Sequence, residues 1–443
     1  MKRKCLAIVL AAGNGRRMNS SFSKVLHKVA GKPMITHVME TIAMADISDV
    51  ALVLGDYVES VMCAARKKEL SIECFTQDIR QGTAHAVLSA KSAIERGYDD
   101  VIVMYGDVPL ISSRTLQKAL DKITEGFSIS VIGFKTDNPQ NYGRLLTEGD
   151  ELISIREEKD ASDEEKKIRY CNSGLMAING LHILDWLSKI KKNDKTQEYY
   201  LTDIIEIARS CGGSVTSIEV EEEEVSGCNN RYELSIIENT WQSHCRRKML
   251  LSGVTMVVPE TVFLSHDTCI EPDTVIEPHV VFGCGVTVER SVRIRSFSYL
   301  EGVHISAGAL IGPFARLREG SKIGQNARIG NFCEIKKTIV GEGSKINHLS
   351  YLGDSSIGTN VNIGAGSITC NYDGLHKYQT IIGDESFIGS NSSLVAPISI
   401  GSGSYIASGS VVTENTPKDS LVFGRARQVT KEKKISPIQG KKS

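Results

Sequence analysis

What this sequence lacks already narrows what it can do. It has no apolar run approaching the ~20 residues that span a bilayer, so neither a membrane-crossing helix nor a membrane partner is expected. Its eleven cysteines are an odd count, and no two stand in a C-x-x-C spacing. That speaks against a secreted disulfide framework and a cysteine zinc site, and favours reduced thiols in a cytoplasmic setting. Net charge is nearly absent too, with 52 Lys and Arg against 53 Asp and Glu and a formal charge of −1. So balanced a chain offers no whole-molecule footprint for nucleic acid. The exception is the C-terminus, where eight Lys or Arg against two acids follow Pro417 and leave the remainder near −7.

What is present reads as a globular protein, with 41% apolar and 24% charged residues. At ~150 residues per domain, the length of 443 suggests about three structural units. Met1-Lys2-Arg3-Lys4 followed by Cys5–Ala12 imitates a secretory signal. The apolar stretch is too short, however, and runs into Gly13-Asn14-Gly15-Arg16-Arg17, a poor cleavage region. A buried first strand is the expectation.

The pattern of apolar residues changes along the chain. Up to about Gly227, the runs Cys5–Leu10, Val50–Leu54, Val101–Tyr105 and Ile129–Phe134 read as strands buried on both faces. Helical segments at Lys32–Ala45, Thr83–Ile94 and Arg114–Ile123 lie between them, which predicts a mostly parallel sheet covered by helices. Asn230 and Glu233 form a capping box, and Ile237, Trp241, Cys245 and Met249 mark one face of a connecting helix. Beyond it, aliphatic or aromatic residues recur every six positions. The stride runs Val258, Leu264, Ile270, Ile276, Phe282 and Val288, and later Ile305, Ile311, Leu317, Ile323, Ile329 and Ile335. Neither a helix nor a strand has that period, whereas a solenoid does, because each repeat stacks one inward residue on the repeat before it. The only serious break lies between Ile363 and Ile382, where an inserted loop on the binding face is expected.

Two features carry chemistry by residue type. Gly13 and Gly15 follow the first strand and would let backbone N–H groups approach a phosphate, with Arg16, Arg17 and Lys24 close behind. Asp107 follows the strand Val101–Tyr105, at the strand end where open α/β sheets bind ligands, and Mg²⁺ needs only one or two carboxylates beside phosphate oxygens. The alternative for Asp107 is a cap for the helix after Pro109, and for the cations a solvated surface.

Ten motifs then stand in order. The first six are L-A-A-G-N-G-R-R-M (Leu10–Met18), S-K-V-L-H (Ser23–His27), Q-G-T (Gln81–Thr83), Y-G-D-V-P-L (Tyr105–Leu110), Y-G-R (Tyr142–Arg144) and E-Y-Y-L-T-D (Glu198–Asp203). G-P-F-A-R-L-R (Gly312–Arg318), H-L-S-Y-L-G-D (His348–Asp354), N-I-G-A-G (Asn362–Gly366) and I-T-C-N-Y-D-G (Ile368–Gly374) follow. Together they resemble the bifunctional UDP-N-acetylglucosamine pyrophosphorylase/glucosamine-1-phosphate N-acetyltransferase family, from about residue 5 to residue 427.

The resemblance implies an α/β Rossmann-like nucleotidyltransferase domain followed by a left-handed parallel β-helix of hexapeptide repeats. The expected boundaries are 1–228 for the first domain, 229–252 for the connector helix and 253–443 for the β-helix with its basic tail. It also implies a homotrimer with acetyltransferase sites between neighbouring helices. The expected substrates are glucosamine-1-phosphate, acetyl-CoA, UTP and N-acetylglucosamine-1-phosphate, with Mg²⁺ as cofactor.

For uridylyl transfer it assigns Arg17 and Lys24 to the triphosphate, and Asp107 with Asn229 to the metal. Leu10, Ala11, Ala12, Gly13, Lys24, Gln77, Gly82, Thr83, Gly143, Glu157, Asn172 and Asn229 match nucleotide and sugar contacts. For acetyl transfer it makes His348 the general base; separately, Glu334 is expected to orient it, as carboxylates orient histidines elsewhere. Arg318, Lys336, Tyr351 and Asn362 match sugar-phosphate contacts. Ala365, Asn371, Tyr372, Ser390, Ser408 and Arg425 match acetyl-CoA contacts, the Asn371-Tyr372 pair also touching the acceptor. Asn14, Ser23, Asn347 and Ser408 depart from the usual Lys, Pro, small residue and Ala. Two alternatives remain open here, a monofunctional sugar-1-phosphate nucleotidyltransferase with a structural β-helix and a non-catalytic regulatory homologue.

Overall fold

Each apolar run of the first half alternates its side chains between two cores. In the strand Cys5–Ala11, Leu6, Ile8 and Leu10 enter one core while Ala7, Val9 and Ala11 enter the other. A strand covered on both faces has no polar side to show, which is why the sequence reads as a continuous apolar run. The stretch that imitates a signal is thus a central strand. The computed structural model describes residues 3–13, 15–149 and 151–432, so Asn14 and the end of the basic tail lie outside the described residues. The chain divides into two compact units, Met1–Gln242 and Ser243–Ser443, the division falling within the helix Arg231–Leu251. No helix among the described residues is long and apolar enough to cross a membrane.

The first unit is built on a sheet whose main path runs Val215–Val220, Ile129–Lys135, Tyr170–Asn179, Asp100–Tyr105, Cys5–Ala11, Asp49–Leu54 and Ser71–Thr76. Cys5–Ala11 pairs in parallel with Asp49–Leu54 and with Asp100–Tyr105, Leu10 standing opposite Tyr105. Tyr170–Asn179 is the exception, antiparallel to both neighbours. This register brings the turn after Ala11 and the segment after Tyr105 out at one edge of the sheet. The expected helix Thr83–Ile94 is two helices, Thr83–Ser89 and Lys91–Ile94. Ala90 separates them, and tighter three-residue bonds run from Ala90 N–H to the Val87 carbonyl and from Ala93 N–H to the Ala90 carbonyl.

The connector helix Arg231–Leu251 begins as its sequence predicts. Asn230 Nδ2 donates to Glu233 Oε1 at 2.6 Å, and Glu233 N–H donates back to Asn230 Oδ1 at 2.9 Å. Its most buried residues past Ile237 are nevertheless polar, Gln242 and Arg246 rather than Trp241 and Cys245. Arg246 is accommodated because its guanidinium donates to the Val262 carbonyl at 3.2 Å.

Among the described residues, the second unit is a coil with three parallel sheets of ten, eight and eight short strands. One column of inward residues reads Met256, Ile276, Ile294, Ile311, Ile329, Ile346, Ile363, Ile388 and Ile406, each paired with the residue one coil on. Two details of the six-residue stride need correction. Met256, not Val258, pairs with Ile276, because Val258 leads into the turn Pro259–Thr261. In the apparent gap, Thr369 takes the inward place opposite Leu394, its hydroxyl exchanging hydrogen bonds with the Gly353 backbone at 2.8 and 3.2 Å. A threonine whose hydroxyl is satisfied substitutes for an aliphatic residue there. The inserted loop follows Asn371, closed by a bridge between Tyr372 and Lys377.

Candidate active sites

In the first unit, the strand ends and following turns enclose a cleft of about 590 Å³. Leu10, Ala11, Ala12, Gly13, Lys24, Gln77, Gly82, Thr83, Asp107, Gly143, Glu157, Asn172 and Asn229 all line it. Arg17 does not. It stands on the exposed turn Arg16–Met18, outside the cleft lining.

The charged centre of the cleft is a contact of three groups. Lys24 Nζ forms an ion pair with the Asp107 carboxylate and donates to Asn229 Oδ1 at 3.3 Å. Asp107 is not a helix cap, because Ser112 caps Ser113–Thr124 by accepting from Thr115 N–H at 3.1 Å. Asn230 is the connector's cap, and the same motif fixes Asn229, whose N–H donates to Glu233 Oε2 at 2.7 Å. Two oxygen-bearing side chains gathered on one cation are the hard donor set a divalent ion such as Mg²⁺ uses. The residues therefore fit a metal at Asp107 and Asn229.

The glycines of the cleft divide by what the fold demands of them. A Cβ on Gly82 would collide with the Tyr199 carbonyl, and its φ of +104° is left-handed. A Cβ on Gly13 would meet no atom within 4 Å, and its φ lies outside the left-handed range. The fold thus needs glycine at 82 and does not at 13, which leaves close ligand approach as the reason for Gly13. Gly82→Ala is expected to lower stability by about 1–3 kcal/mol. Gly13→Ala should leave stability unchanged and weaken binding of a phosphate ligand in the cleft about tenfold, the added Cβ displacing one charge-assisted hydrogen bond of about 1.5 kcal/mol. Denaturant titration and calorimetry check the pair, and equal losses of stability would contradict it.

Glu157 accepts from Thr202 Oγ1 at 2.9 Å, and burial raises its carboxyl above the ordinary range. Next to Thr202, burial first, then Glu206 and Glu157, push the half-buried Asp203 carboxyl up to about 6. A folded value above the unfolded one of about 4 means the folded state holds the proton more tightly. That contribution to stability is full below about pH 4 and is lost as pH rises through about 6. Asp203→Asn should therefore stabilise this unit at pH 8 by about 1 kcal/mol or more and leave it unchanged at pH 4. Both tryptophans, Trp186 and Trp241, lie in this unit, so tryptophan fluorescence during unfolding reads the difference. Equal effects at the two pH values would contradict it.

Several cleft residues escape the sequence reading. Arg80 lines the cleft, its Nε donating to the Ala12 carbonyl at 2.8 Å. Glu198, Tyr200 and Thr202 line it from the motif E-Y-Y-L-T-D, and Tyr105 from Y-G-D, so the motifs held the signal. Thr83 proves to be a tie between segments, its Oγ1 accepting from Leu201 N–H at 3.0 Å. The buried Arg144 holds the next loops together by contacts to the Tyr142 carbonyl and to Glu158.

In the second unit, the register sorts the candidates into corners. Two positions beyond the inward Ile346, Ile363, Ile388 and Ile406 stand His348, Ala365, Ser390 and Ser408, one per coil in a single column. Backbone bonds continue it, from Gly366 N–H to the His348 carbonyl at 3.3 Å and from Asn391 N–H to the Ala365 carbonyl at 2.8 Å. Gly409 N–H donates to the Ser390 carbonyl at 2.8 Å, and the Arg425 side chain lies against Gly409. Asn362 pairs with Lys345 and Phe387 on the sheet leading into this column.

The next corner is cationic. Arg318 and Lys336 each stand one place beyond an inward residue, Leu317 and Ile335, on paired strands. Lys377 of the inserted loop, then burial and then Arg318, press the Lys336 ammonium below its ordinary range. Like charges held together in this way create demand for an anion. Asn371 donates to Asp354 Oδ2 at 2.5 Å, whereas Tyr372 is exposed with its hydroxyl on the Gly374 carbonyl. Tyr351 lies on the strand paired with Glu334.

Glu334 does not orient His348. It accepts from Arg318 Nη1 at 2.8 Å, and His348 Nδ1 contacts Asn331 Oδ1 at 2.8 Å instead. The coil explains this, because Glu334 and His348 belong to different sheets while Asn331 and His348 are register partners.

Comparison with known proteins agrees with this division. Residues 7–149 match the model of the MobA-like NTP transferase domain. Residues 302–337 match the bacterial transferase hexapeptide (six repeats), and 379–414 the hexapeptide repeat of succinyl-transferase. The chain is 57% identical over 431 residues to the bifunctional protein GlmU of Agrobacterium fabrum, covering 97% of this chain and 95% of that one. It is 56% identical to GlmU of Rhizobium rhizogenes over 97% of this chain and 95% of that one. Against GlmU of Bartonella quintana the identity is 52%, covering 97% and 96%.

Proposed function

The chain belongs to the GlmU family of bifunctional proteins, and on that premise we propose how its two units divide the work. It is a nucleotidyltransferase and an acetyltransferase in one chain. The β-helix acetylates glucosamine-1-phosphate with acetyl-CoA. The first unit transfers UMP from UTP to the resulting N-acetylglucosamine-1-phosphate, releasing pyrophosphate. The observation that carries the nucleotidyl half is the meeting of Lys24, Asp107 and Asn229 at the cleft wall.

In the cleft, an oxygen of the sugar phosphate attacks the α-phosphorus of UTP in line and pyrophosphate leaves. No protein nucleophile is required, so positioning and charge neutralisation are the chain's contribution. Lys24 and, from the turn outside the cleft, Arg17 neutralise the triphosphate. Asp107 and Asn229 would hold Mg²⁺, which when bound supplies charge compensation to the phosphates. Gln77, Gly82 and Thr83 flank the base and ribose, while Gly143, Glu157 and Asn172 border the sugar.

In the β-helix, the substrate amine attacks the thioester carbon, a C–N bond forms and the C–S bond breaks. His348 accepts the amine proton and returns it to the leaving sulfur, so that CoA departs as the thiol. Arg318, Lys336 and Lys377 receive the sugar phosphate, with Tyr351 and Asn362 beside it. The column Ala365, Ser390 and Ser408, with Asn371, Tyr372 and Arg425, receives CoA. Separation of the base and the cation cluster onto different corners supports the reading that copies assemble as a trimer with sites between them. A cytoplasmic setting fits eleven free thiols and cytosolic substrates.

The test mixes purified protein with glucosamine-1-phosphate, acetyl-CoA, UTP and Mg²⁺ and reads products by mass spectrometry. UDP-N-acetylglucosamine is expected. Acetylated sugar phosphate without the nucleotide would remove the assignment of the first unit, and neither product from folded protein would remove both.

A further inference from the structure

We propose that Asn331 is a positioning residue for acetyl transfer, its amide oxygen holding His348 in the tautomer that leaves Nε2 free to take the substrate's proton. The inference rests on the reading of His348 as the base. Asn331 Oδ1 lies 2.8 Å from His348 Nδ1. A carbonyl oxygen can only accept, so Nδ1 carries the ring proton and Nε2 presents its lone pair.

The pair is held by the fold as well as by its own bond. Asn331 ends the strand Arg328–Asn331, His348 ends Lys345–His348, and the two are partners across one coil of a parallel ladder. Leu349 N–H donates to the Asn331 carbonyl at 3.0 Å, fixing the chain immediately after the histidine. The carboxylate expected to serve, Glu334, is engaged by Arg318. The choice of an amide has a chemical consequence. A carboxylate at this point would fix the same tautomer but also stabilise the imidazolium, which cannot accept a proton. An amide oxygen orients the ring without adding that charge.

The experiment compares Asn331→Ala, Asn331→Asp and His348→Ala in steady-state acetyl transfer across pH, with the far-UV circular dichroism and thermal unfolding of the same preparations reporting an intact β-helix. Asn331→Ala should lower kcat about tenfold to hundredfold, the range seen when the partner of a functional histidine is removed, with KM for the sugar phosphate little changed. Asn331→Asp should recover most of that rate at high pH and move the acid limb of its profile upward by about one pH unit. A purely structural role would not move that limb. Unchanged kcat in Asn331→Ala beside an inactive His348→Ala would overturn the proposal and leave the base intact. Full acetyl transfer by His348→Ala would overturn the base itself. If Asn331→Ala fails to fold, the limb of Asn331→Asp decides, and an unmoved limb overturns the proposal.

Discussion

Asp107→Asn is expected to lower uridylyl transfer by about 10²–10³-fold, the cost of removing one preorganised electrostatic partner of a reacting phosphate, and to leave acetyl transfer unchanged. The side chain is only 12% exposed and its carboxylate is paired with Lys24. Asparagine keeps the shape and one oxygen but loses the charge, so the packing at the strand end survives. The loss falls on the metal and the phosphates, and the Mg²⁺ concentration for half-maximal rate should rise. Lys24 loses its partner as well, and the two effects are separated by Lys24→Met, which should reduce rate without raising the Mg²⁺ requirement. Uridylyl transfer near the original rate in Asp107→Asn would remove this residue from the site. Loss of both activities would contradict the independence of the two units.

The mirror experiment is His348→Ala. Acetyl transfer should fall by about 10²–10⁴-fold, the usual contribution of a positioned general base. Because the side chain is exposed and its backbone belongs to an intact ladder, stability should stay within about 0.5 kcal/mol. Uridylyl transfer from supplied N-acetylglucosamine-1-phosphate should be unaffected. At high pH part of the acetyl-transfer rate should return, because the amine then loses its proton to water. A flat loss of both activities, or none, would contradict the assignment.

How far the sequence carried the fold depended on whether a feature was written locally. A strand buried on both faces is a continuous apolar run, so Cys5–Ala11 and Asp100–Tyr105 were readable to within a residue. The β-helix was legible because its period belongs to no other structure. Its exceptions were not, since Thr369 fills an aliphatic place only by hydrogen bonding to the coil before it. The first site was legible because its residues cluster in motifs at strand ends, and the cleft gathers them as the sheet register requires. Arg80 was missed for lack of any pattern, being one cation among many.

Partners across a coil were the least legible. Asn331 and His348 are seventeen positions apart, and only the exact turn length makes them neighbours. The general habit of carboxylates to orient histidines pointed to Glu334, whose charge the structure gives to Arg318. Lys377 was likewise hidden inside an insertion, where no periodicity marks a residue. Register, rather than residue type, supplied the Asn331–His348 pair.

On the proposed function, one chain carries two separate sites joined by a released intermediate. The most direct test incubates Asp107→Asn and His348→Ala, alone and mixed, with glucosamine-1-phosphate, acetyl-CoA, UTP and Mg²⁺. Asp107→Asn alone should stop at N-acetylglucosamine-1-phosphate, and His348→Ala alone should leave the starting sugar phosphate unacetylated. Mixed together, they should restore UDP-N-acetylglucosamine, because each preparation completes what the other cannot. A mixture that produces no more nucleotide sugar than its separate members would exclude two independent sites joined by a free intermediate.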